Sequence, residues 1–370
     1  MFVIFLNRYN EALKTSKYSD IKPDLAQLII NRIEKEKNSS FASESWFDIS
    51  AKMSVLYTGC EGNQYLTWKN KGYITVFDYI TVSLNFCLLI DIFIIKFISL
   101  QKKVPNPLME VKVMNKVLMN KSVINVKWNP ESDDERVIVC CKDGSVYNAH
   151  HVICTASLGV LKKHHETLFI PQLPEVKRKA IECIGFGTIG KIYLEFEKTF
   201  WPTDVNVWCG YSFLWSQTDL EEVCGTDKEW LQGIFSFFRV DAHPNVLSGF
   251  ISGKYSKIFE EMSYEQIMED CIWLFEKFLC KSVTIKKPIG IKTSKWLTNE
   301  NFLGSYSCPS TTTSINVTPE DLAKPLMSNA EKPCIMFAGE ATHSTLTGLG
   351  NAAIETGWRE GQRIVDFYSK

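Results

Sequence analysis

The sequence predicts a mixed α/β protein, and three patterns along the chain predict it. The first 45 residues have helical spacing of apolar positions, short β-type runs begin at about residue 111, and a buried strand near residue 335 is followed by a long helical pattern. With 370 residues and 45% hydrophobic content, the chain has globular composition and the length of about two domains.

The N-terminal part is predicted to be helical. Leu25, Leu28, Ile29 and Ile33 recur every three or four residues, which is the period of one face of a helix. Lysine and glutamate are frequent between these positions, as on the exposed side of an amphipathic helix. We interpret this part as scaffold.

Short runs rich in β-branched residues follow and predict a sheet. They are VINVKW at 123–128, RVIVCC at 136–141 and SVYNAHHVICTA at 145–156. Asp143 and Gly144 stand between the second run and the third, and this dipeptide is typical of a hairpin turn.

The second half alternates between helical and strand patterns. Residues 174–184 are predicted to form a helix with a proline at its start, 191–201 a strand and 264–279 a strongly amphipathic helix. PCIMFAG at 333–339 is predicted to be a buried strand, and the helix that follows it has Asn351 as its candidate N-cap.

Residues 80–100 form an apolar run of transmembrane length. Fourteen Ile, Leu, Val and Phe favour insertion by roughly 4 to 8 kcal/mol, whereas Asp91 and Lys96 oppose it by about 5 to 7 kcal/mol. The run also interrupts a pattern that otherwise joins into one helix and loop. We interpret 80–101 as an insertion, with a buried helix and a membrane span as the alternatives.

Charge and cysteine content limit the class of protein. Forty-one basic and 42 acidic residues give a net charge of -1, so the chain has no surplus of positive charge for nucleic acid. Twelve cysteines without a C-x-x-C pair indicate a reduced, intracellular chain, and we expect it in the cytoplasm. The histidines lack partners at the spacing of metal ligands, so we expect no metal site and interpret them as structural or surface residues.

Gly185, Gly187 and Gly190 fit the spacing of a dinucleotide-binding loop, G-x-G-x-x-G. That motif requires a strand before the glycines and a helix after them. Here a helix is predicted before and a strand after. We therefore reject nucleotide binding at this segment.

The strand FAGEATH at 337–343 and the helix after it suggest a cofactor site. A buried strand ends in Gly339 and Glu340, and the N-terminus of the next helix points back toward them. The free N–H groups and the dipole of such a helix favour negative charge. The other interpretation of Glu340 is an exposed acidic residue in a loop.

Four segments in this order resemble the flavin-dependent amine oxidases, in particular the branch of spermine and N-acetylpolyamine oxidases. They are SLGVLK at 157–162, GKIYLEFEKTFWP at 190–202, SKWLTNENFLGSYS at 294–307 and FAGEATH at 337–343. The resemblance extends from about Trp68 to the C-terminus, apart from 80–101.

The resemblance implies FAD as the cofactor. It places Gly339 and Glu340 beside the ribityl-diphosphate part of FAD. It places the start of the last helix, that is Leu349, Gly350 and Asn351, beside the flavin ring, where reduced flavin develops negative charge. Val123 occupies the place where the backbone of the family contacts adenine. A buried strand valine is the alternative interpretation of that residue.

The resemblance also implies a reaction, the oxidation of a polyamine by O2. Lys191 matches the lysine that holds a water against flavin N5, and Trp296 matches the tryptophan that supports the flavin. Tyr306 and Leu349 face the substrate, and aromatic walls attract residual positive charge on an amine. The alternative interpretation of Lys191 is a solvated lysine at the end of a strand. The alternative for Trp296 and Tyr306 is that they belong to the hydrophobic core.

The family pattern divides the chain into four segments. Residues 1–70 and 164–297 belong to the substrate domain, and 71–163 and 298–370 belong to the FAD-binding, Rossmann-like domain. The strand–G-x-G-x-x-G–helix unit with which the family begins is not in this sequence, so we expect that domain to be incomplete and FAD affinity to be reduced.

A second departure lies in the loop before the last helix. Asn351 stands where the family has histidine, and Ala352 where it has glycine, which puts the substrate preference in doubt. The alternative to an oxidase is a flavin-free remnant that acts as an interaction module. A membrane-tethered form depends wholly on residues 80–100, and the sequence leaves the oligomeric state open.

Overall fold

The computed structural model describes residues 11, 23–55, 116–128, 137–202, 204, 209–279, 283–313, 317–329 and 331–369. Contacts divide the chain into two compact units, residues 1–58 with 123–370 and residues 59–122. Of the second unit, only 116–122 are described. All strands and sheets below belong to the first unit.

The helices and strands of the described residues follow one another in this order: α1 (Pro23–Phe41), α2 (Ala51–Val55), β1 (Val123–Lys127), β2 (Val137–Cys141), β3 (Val146–Ala149), β4 (Val152–Cys154), α3 (Leu158–Leu168), β5 (Phe169–Ile170), α4 (Glu175–Cys183), β6 (Gly185–Gly187), β7 (Ile189–Glu195), β8 (Gly210–Ser212), α5 (Gln217–Val223), β9 (Ile234–Val240), β10 (His243–Ser252), α6 (Tyr255–Glu261), α7 (Tyr264–Leu279), β11 (Gly290–Thr293), β12 (Tyr306–Cys308), α8 (Pro319–Ala323), β13 (Leu326–Met327), β14 (Pro333–Phe337) and α9 (Gly350–Tyr368). Short 3-10 helices lie at Trp46–Asp48, Glu229–Gly233 and Glu340–Thr342.

The largest sheet has five antiparallel strands in the order β11-β7-β10-β9-β8. Ile192 and Leu194 of β7 are completely buried, and the Phe237 ring of β9 lies 4.9 Å from the Phe275 ring of α7, centroid to centroid. Burying each such side chain stabilises the fold by about 1.5 to 3 kcal/mol. These residues form the first hydrophobic core.

Helix α1 packs against β9 and β10 of this sheet. Ala26 and Ile30 are buried, whereas Leu25 and Ile29 are 43% and 41% exposed. The predicted helix is therefore present, but the face that meets the sheet differs from the predicted one. Ala26 and Ile30 are four residues apart and share one face of the helix, as Leu25 and Ile29 do, so apolar spacing alone does not decide which pair is buried.

A second core lies between the remaining sheets and helices α3 and α4. Its four-stranded sheet has the order β3-β2-β1-β5, and its three-stranded sheet the order β13-β14-β4 with β14 and β4 parallel. Val126, Leu161, Ile181 and Phe337 are buried there. Parallel and antiparallel pairs with helices against them confirm the predicted mixed α/β class.

Several predicted elements agree with the structure. Strands β2 and β3 form the predicted hairpin, with Gly144 at φ +84° and Ser145 N–H donating to Asp143 Oδ1. Helix α4 begins after Pro174, and α7 has the predicted limits. All five residues of β14 are buried, as predicted for the strand before Gly339.

The glycines of the rejected motif serve close packing. Gly185 and Gly187 lie in β6, which pairs with β12, and the predicted order of a helix before and a strand after is confirmed. A Cβ on Gly187 would overlap the carbonyl oxygen of Ala42, and one on Gly190 would lie 2.8 Å from the Phe259 ring. The glycines let neighbouring segments approach.

Two sequence predictions, the apolar run and the division into domain segments, are not tested by the elements above. The apolar run 80–100 lies outside the described residues. In the part of the chain that the structure covers, no helix is both long and apolar enough to span a bilayer. The four predicted domain segments stay a prediction.

Candidate functional site

A cavity of about 360 Å³ lies where β12, the end of α1 and the loop before α9 meet. Its lining residues include Ser40, Ser307 and Thr345 together with Tyr306 and Leu349. The structure thus brings together the two residues predicted to face the substrate. A wall of this mixed character suits an organic ligand with a few polar atoms.

Glu340 ties two walls of the cavity to each other. Its carboxylate accepts hydrogen bonds from Ser307 N (3.0 Å), Ser307 Oγ (2.6 Å) and Gly348 N (2.7 Å). Ser307 belongs to β12, and Gly348 precedes α9. Glu340 is therefore a bridge within the site rather than the exposed loop residue of the alternative interpretation.

Gly339 has φ +136°, a backbone conformation that side chains rarely allow, and it is the second residue after the end of β14. Its N–H donates to Thr356 Oγ1 of α9 at 2.9 Å. A Cβ here would meet no atom of the described residues within 4 Å. Open space therefore lies at the carboxyl end of parallel strands, where α/β sheets place their ligands.

Helix α9 begins two residues earlier than an N-cap at Asn351 predicts, and Asn351 is not its N-cap. Leu349, in extended conformation, is the N-cap and makes no side-chain hydrogen bond, so Gly350 opens the helix and Asn351 is the second helical residue. The prediction was wrong because Gly350 adopts helical angles ahead of the polar residue. Leucine has no side-chain acceptor, so the N-cap of this 19-residue helix supplies no side-chain hydrogen bond to the helix start.

Tyr306 is a neutral hydrogen-bond donor in the cavity wall. Its hydroxyl donates to the backbone oxygen of Ser39 at 3.0 Å, near the end of α1. Burial raises the pKa of Tyr306 to about 12, and the neighbouring Cys308 and Glu340 act in the same direction. The ring also packs against Gly348, where a Cβ would come within 3.0 Å of it.

Lys191 lies half-buried on β7, opposite Phe250 of β10. Its Nζ is 5.3 Å from the centroid of the Phe250 ring, and it is outside the residues that line the cavity. The backbone of Lys191 makes two hydrogen bonds with Ser294: Lys191 N donates to Ser294 Oγ (2.8 Å), and Ser294 N donates to Lys191 O (3.0 Å).

Trp296 follows two residues after Ser294, so the structure joins Lys191 and Trp296 through one segment. The indole is 38% exposed and lies edge-on to Phe302 at 5.1 Å, which excludes plain core as its role. Lys191 and Trp296 thus form one group of candidate residues, and Tyr306 and Leu349 form another.

Glu260 holds the Trp296 segment and was missed by the sequence analysis. Only 2% exposed, it accepts from Trp296 N and Leu297 N at 2.9 Å and from both N and Oγ1 of Thr298 at 2.8 Å. Its neighbour Glu261 is exposed. A glutamate in an amphipathic helix looks like a surface residue, so no sequence signal distinguishes the two.

Arg359 of α9 was also missed. Its guanidinium donates to Phe337 O (2.8 Å) and Thr342 O (3.0 Å), and its Nε lies 2.5 Å from the completely buried Glu360. Arg363 donates to the other oxygen of that carboxylate at 2.8 Å. The spacing of these charges along one helix was the available signal.

Val123 is not brought to either group. It lies on β1 opposite Cys141 and is 43% exposed, so the buried valine of the alternative interpretation is excluded as well. No group of three or more His, Cys, Asp and Glu suitable for a metal ion occurs in the described ranges.

The residues near Gly339 fit part of a flavin cofactor. The open space beside Gly339, the uncapped start of α9 and the cavity wall offer room, a positive dipole and hydrogen-bond partners for a planar group with negative charge. Gly350 and Leu349 are at that helix start.

Comparison with known proteins gives consistent matches. Residues 101–365 match the family described as flavin containing amine oxidoreductase. The chain is 32% identical over 269 residues to peroxisomal N(1)-acetyl-spermine/spermidine oxidase of Homo sapiens, covering 68% of this chain and 51% of that protein. It is 34% identical over 252 residues to protein anon-37Cs of Drosophila melanogaster, covering 68% and 48%. A solved putrescine oxidase double mutant matches with TM-score 0.49 and 18% identity, covering 69% and 50%.

The chain therefore spans about half the length of the curated relatives that it matches.

Proposed function

Since the chain belongs to the flavin containing amine oxidoreductase family, we propose that it is part of an FAD-dependent oxidase of polyamines, spermine or N-acetylated polyamines. The overall reaction converts the amine, O2 and water to an aldehyde, a shorter amine and hydrogen peroxide. The human relative is named for N1-acetylated spermine and spermidine, which supports this substrate class.

The observation that carries the proposal is the meeting of three features at one place. The cavity between Tyr306 and Leu349 lies beside the Glu340 bridge and the uncapped start of α9. In our proposal Gly339, Glu340 and Gly350 border the flavin, and Tyr306 and Leu349 face the amine. FAD, when bound, supplies the acceptor for the hydrogen and electrons removed from the carbon next to nitrogen.

The side chains have positioning roles in this proposal. Tyr306 is protonated at neutral pH and, because its pKa is raised, also in mildly alkaline solution, so it offers the amine an aromatic face without adding negative charge. We assign to Lys191 the role of holding a water molecule with its ammonium group. This ammonium group has no ion-pair partner in the described part of the chain. Trp296, held by Glu260, is assigned to the support of the flavin.

The test is an assay of purified protein incubated with excess FAD. We expect flavin absorbance to stay with the protein after gel filtration and peroxide to form on addition of spermine or N1-acetylspermine. Lys191→Met should lower kcat at least tenfold, because the water loses its cation. Lys198→Met, at an exposed lysine after the same strand, is the control and should match the original protein.

Protein that stays colourless in excess FAD would contradict flavin binding by this chain and favour the interaction module. Flavin binding with no peroxide from either polyamine would contradict the substrate class.

A further inference from the structure

Both ring nitrogens of His343 are engaged at the start of the loop that lines the cavity. Nδ1 accepts hydrogen bonds from the backbone N–H groups of Thr345 (3.2 Å) and Leu346 (3.0 Å), and Nε2 lies 3.2 Å from Glu355 Oε2. A backbone N–H can only donate, so Nδ1 carries no proton. The single proton of the neutral ring is therefore on Nε2, facing the carboxylate.

The segment held in this way, residues 344–349, is called the cavity loop here. Thr345, Gly348 and Leu349 of this loop line the cavity, and Leu346 is only 8% exposed. His343 fixes the first half of the loop, and Glu340 fixes the second half through Gly348 N. The shape of the cavity thus depends on the hydrogen bonds of His343.

We propose that His343 is a positioning residue of the candidate site: its neutral imidazole, oriented by Glu355, holds the cavity loop, and a proton on Nδ1 releases it. The proposal rests on the proposed function only for what the cavity binds. The hydrogen bonds themselves belong to the chain without ligand.

The charges around His343 allow this change. Glu355 of α9 lies against Nε2, and Arg359 of α9 donates to the backbone oxygen of Thr342, the residue before His343. The Glu340 carboxylate accepts hydrogen bonds from Gly348 and from Ser307 of β12. A proton on Nδ1 would point at two backbone donors, so both loop bonds are lost together. The contact with Glu355 is kept, because Nε2 retains its proton.

The first experiment needs no activity. Protection factors of the Thr345 and Leu346 amides are measured by hydrogen exchange at pH 8 and pH 5, and the tautomer of His343 is read from its ring 15N shifts. We expect the Nε2–H form at pH 8 and at least tenfold lower protection at pH 5. A proton on Nδ1 at pH 8, or protection factors independent of pH, would overturn the proposal.

Two substitutions separate the two nitrogens. His343→Asn keeps an acceptor near the Nδ1 position, so protection should persist and no longer depend on pH. His343→Gln keeps a donor toward Glu355 but offers the loop no acceptor, so protection should be low at both pH values. His164→Asn, at an exposed histidine of α3, is the control and should behave as the unmodified chain.

The same variants distinguish the two proposals. In FAD-loaded protein, we expect KM to rise more steeply from pH 8 to pH 5 for the original chain than for His343→Asn, because only the original chain can lose the loop bonds by protonation. If the protection factors behave as expected but no variant oxidises polyamines, the proposed function fails and the role of His343 stands. If His343→Asn retains the pH dependence of the original chain, the role of His343 is wrong whatever the activity.

Discussion

Three glutamates around the candidate site use their carboxylates to hold the chain rather than to present free charge. Glu260 accepts from the Trp296 segment, Glu340 from Ser307 and Gly348, and Glu360 from two arginines. Hydrogen bonds to ionised acceptors are about twice as strong as neutral ones. Each glutamate can therefore fix a loop that has little regular structure of its own.

Glu260 accepts four hydrogen bonds, the most of the three glutamates, and the Glu260→Gln substitution tests them. One oxygen becomes an NH2 group that faces donors of Trp296, Leu297 or Thr298, so we expect a loss of about 2 to 4 kcal/mol in the free energy of unfolding. Hydrogen exchange of the peptide 294–304 should become faster. Urea unfolding and exchange mass spectrometry measure both.

The matched control is Glu261→Gln at the exposed neighbour. It should change the free energy of unfolding by less than about 0.5 kcal/mol. Equal effects of the two substitutions would show that the Trp296 segment is held by something other than Glu260.

Among the contacts between elements, a lysine of one helix donates hydrogen bonds to the C-terminal carbonyl groups of another helix. Lys177 of α4 is 3% exposed, and its Nζ donates to the backbone oxygens of Asp321 (3.2 Å), Leu322 (2.6 Å) and Lys324 (2.6 Å) at the end of α8. Nζ also lies 4.2 Å from the Phe337 ring of β14. The last carbonyl groups of α8 thus accept hydrogen bonds from Lys177 Nζ, and this side chain joins α4, α8 and the strand before Gly339.

This contact predicts a pH dependence. Burial lowers the pKa of Lys177 to about 7, against the attraction of Glu360 and Asp321, whereas the unfolded chain keeps the ordinary value of 10.5. Between these values the unfolded state binds more protons, so the Lys177 contribution to stability rises with pH from about 7 to about 10.5.

Lys177→Met should lower the free energy of unfolding by about 2 to 3 kcal/mol, because carbonyl groups of α8 lose their donor. The difference from the original chain should be larger at pH 9.5 than at pH 6, as measured by urea unfolding. Lys179→Met, which removes only an exposed ion pair with Glu175, should cost about 0.5 kcal/mol or less at both pH values. A pH-independent difference for Lys177→Met would contradict the assignment.

At the scale of the compact unit formed by residues 1–58 and 123–370, the glycines decide how closely segments approach. Gly187 of β6 faces the backbone of Ala42, just after α1, without room for a methyl group. Gly357 lies exposed inside α9, and a Cβ there would meet no atom within 4 Å in the described residues. The two positions have opposite requirements.

Gly187→Ala should destabilise the protein by more than about 3 kcal/mol, since α1 must move away from β6. Gly357→Ala should stabilise it by about 0.5 to 1 kcal/mol, because alanine is the better helix former. Denaturant unfolding of both variants is the measurement. If Gly187→Ala unfolds at the same urea concentration as the original chain, the close approach of Ala42 and β6 is wrong.

The fold class, the family and most of the strongly patterned elements could be predicted from the amino-acid sequence alone. Helix α7, strand β14 and the hairpin at Gly144 could be predicted because periodicity and turn residues act over a few neighbouring positions. The family followed from FAGEATH and its companion segments, and the comparisons confirmed it. The roles of Lys191, Trp296 and Val123 stay predictions.

The contacts between residues far apart in the chain could not be predicted and came from the fold. It buried Ala26 and Ile30 of α1 instead of Leu25 and Ile29, and it separated the buried Glu260 from the exposed Glu261. It also gave His343, predicted to be structural or at the surface, two loop donors and a carboxylate. Burial and hydrogen bonding join positions far apart in the chain, and local patterns carry no record of those partners, which is why these roles required the fold.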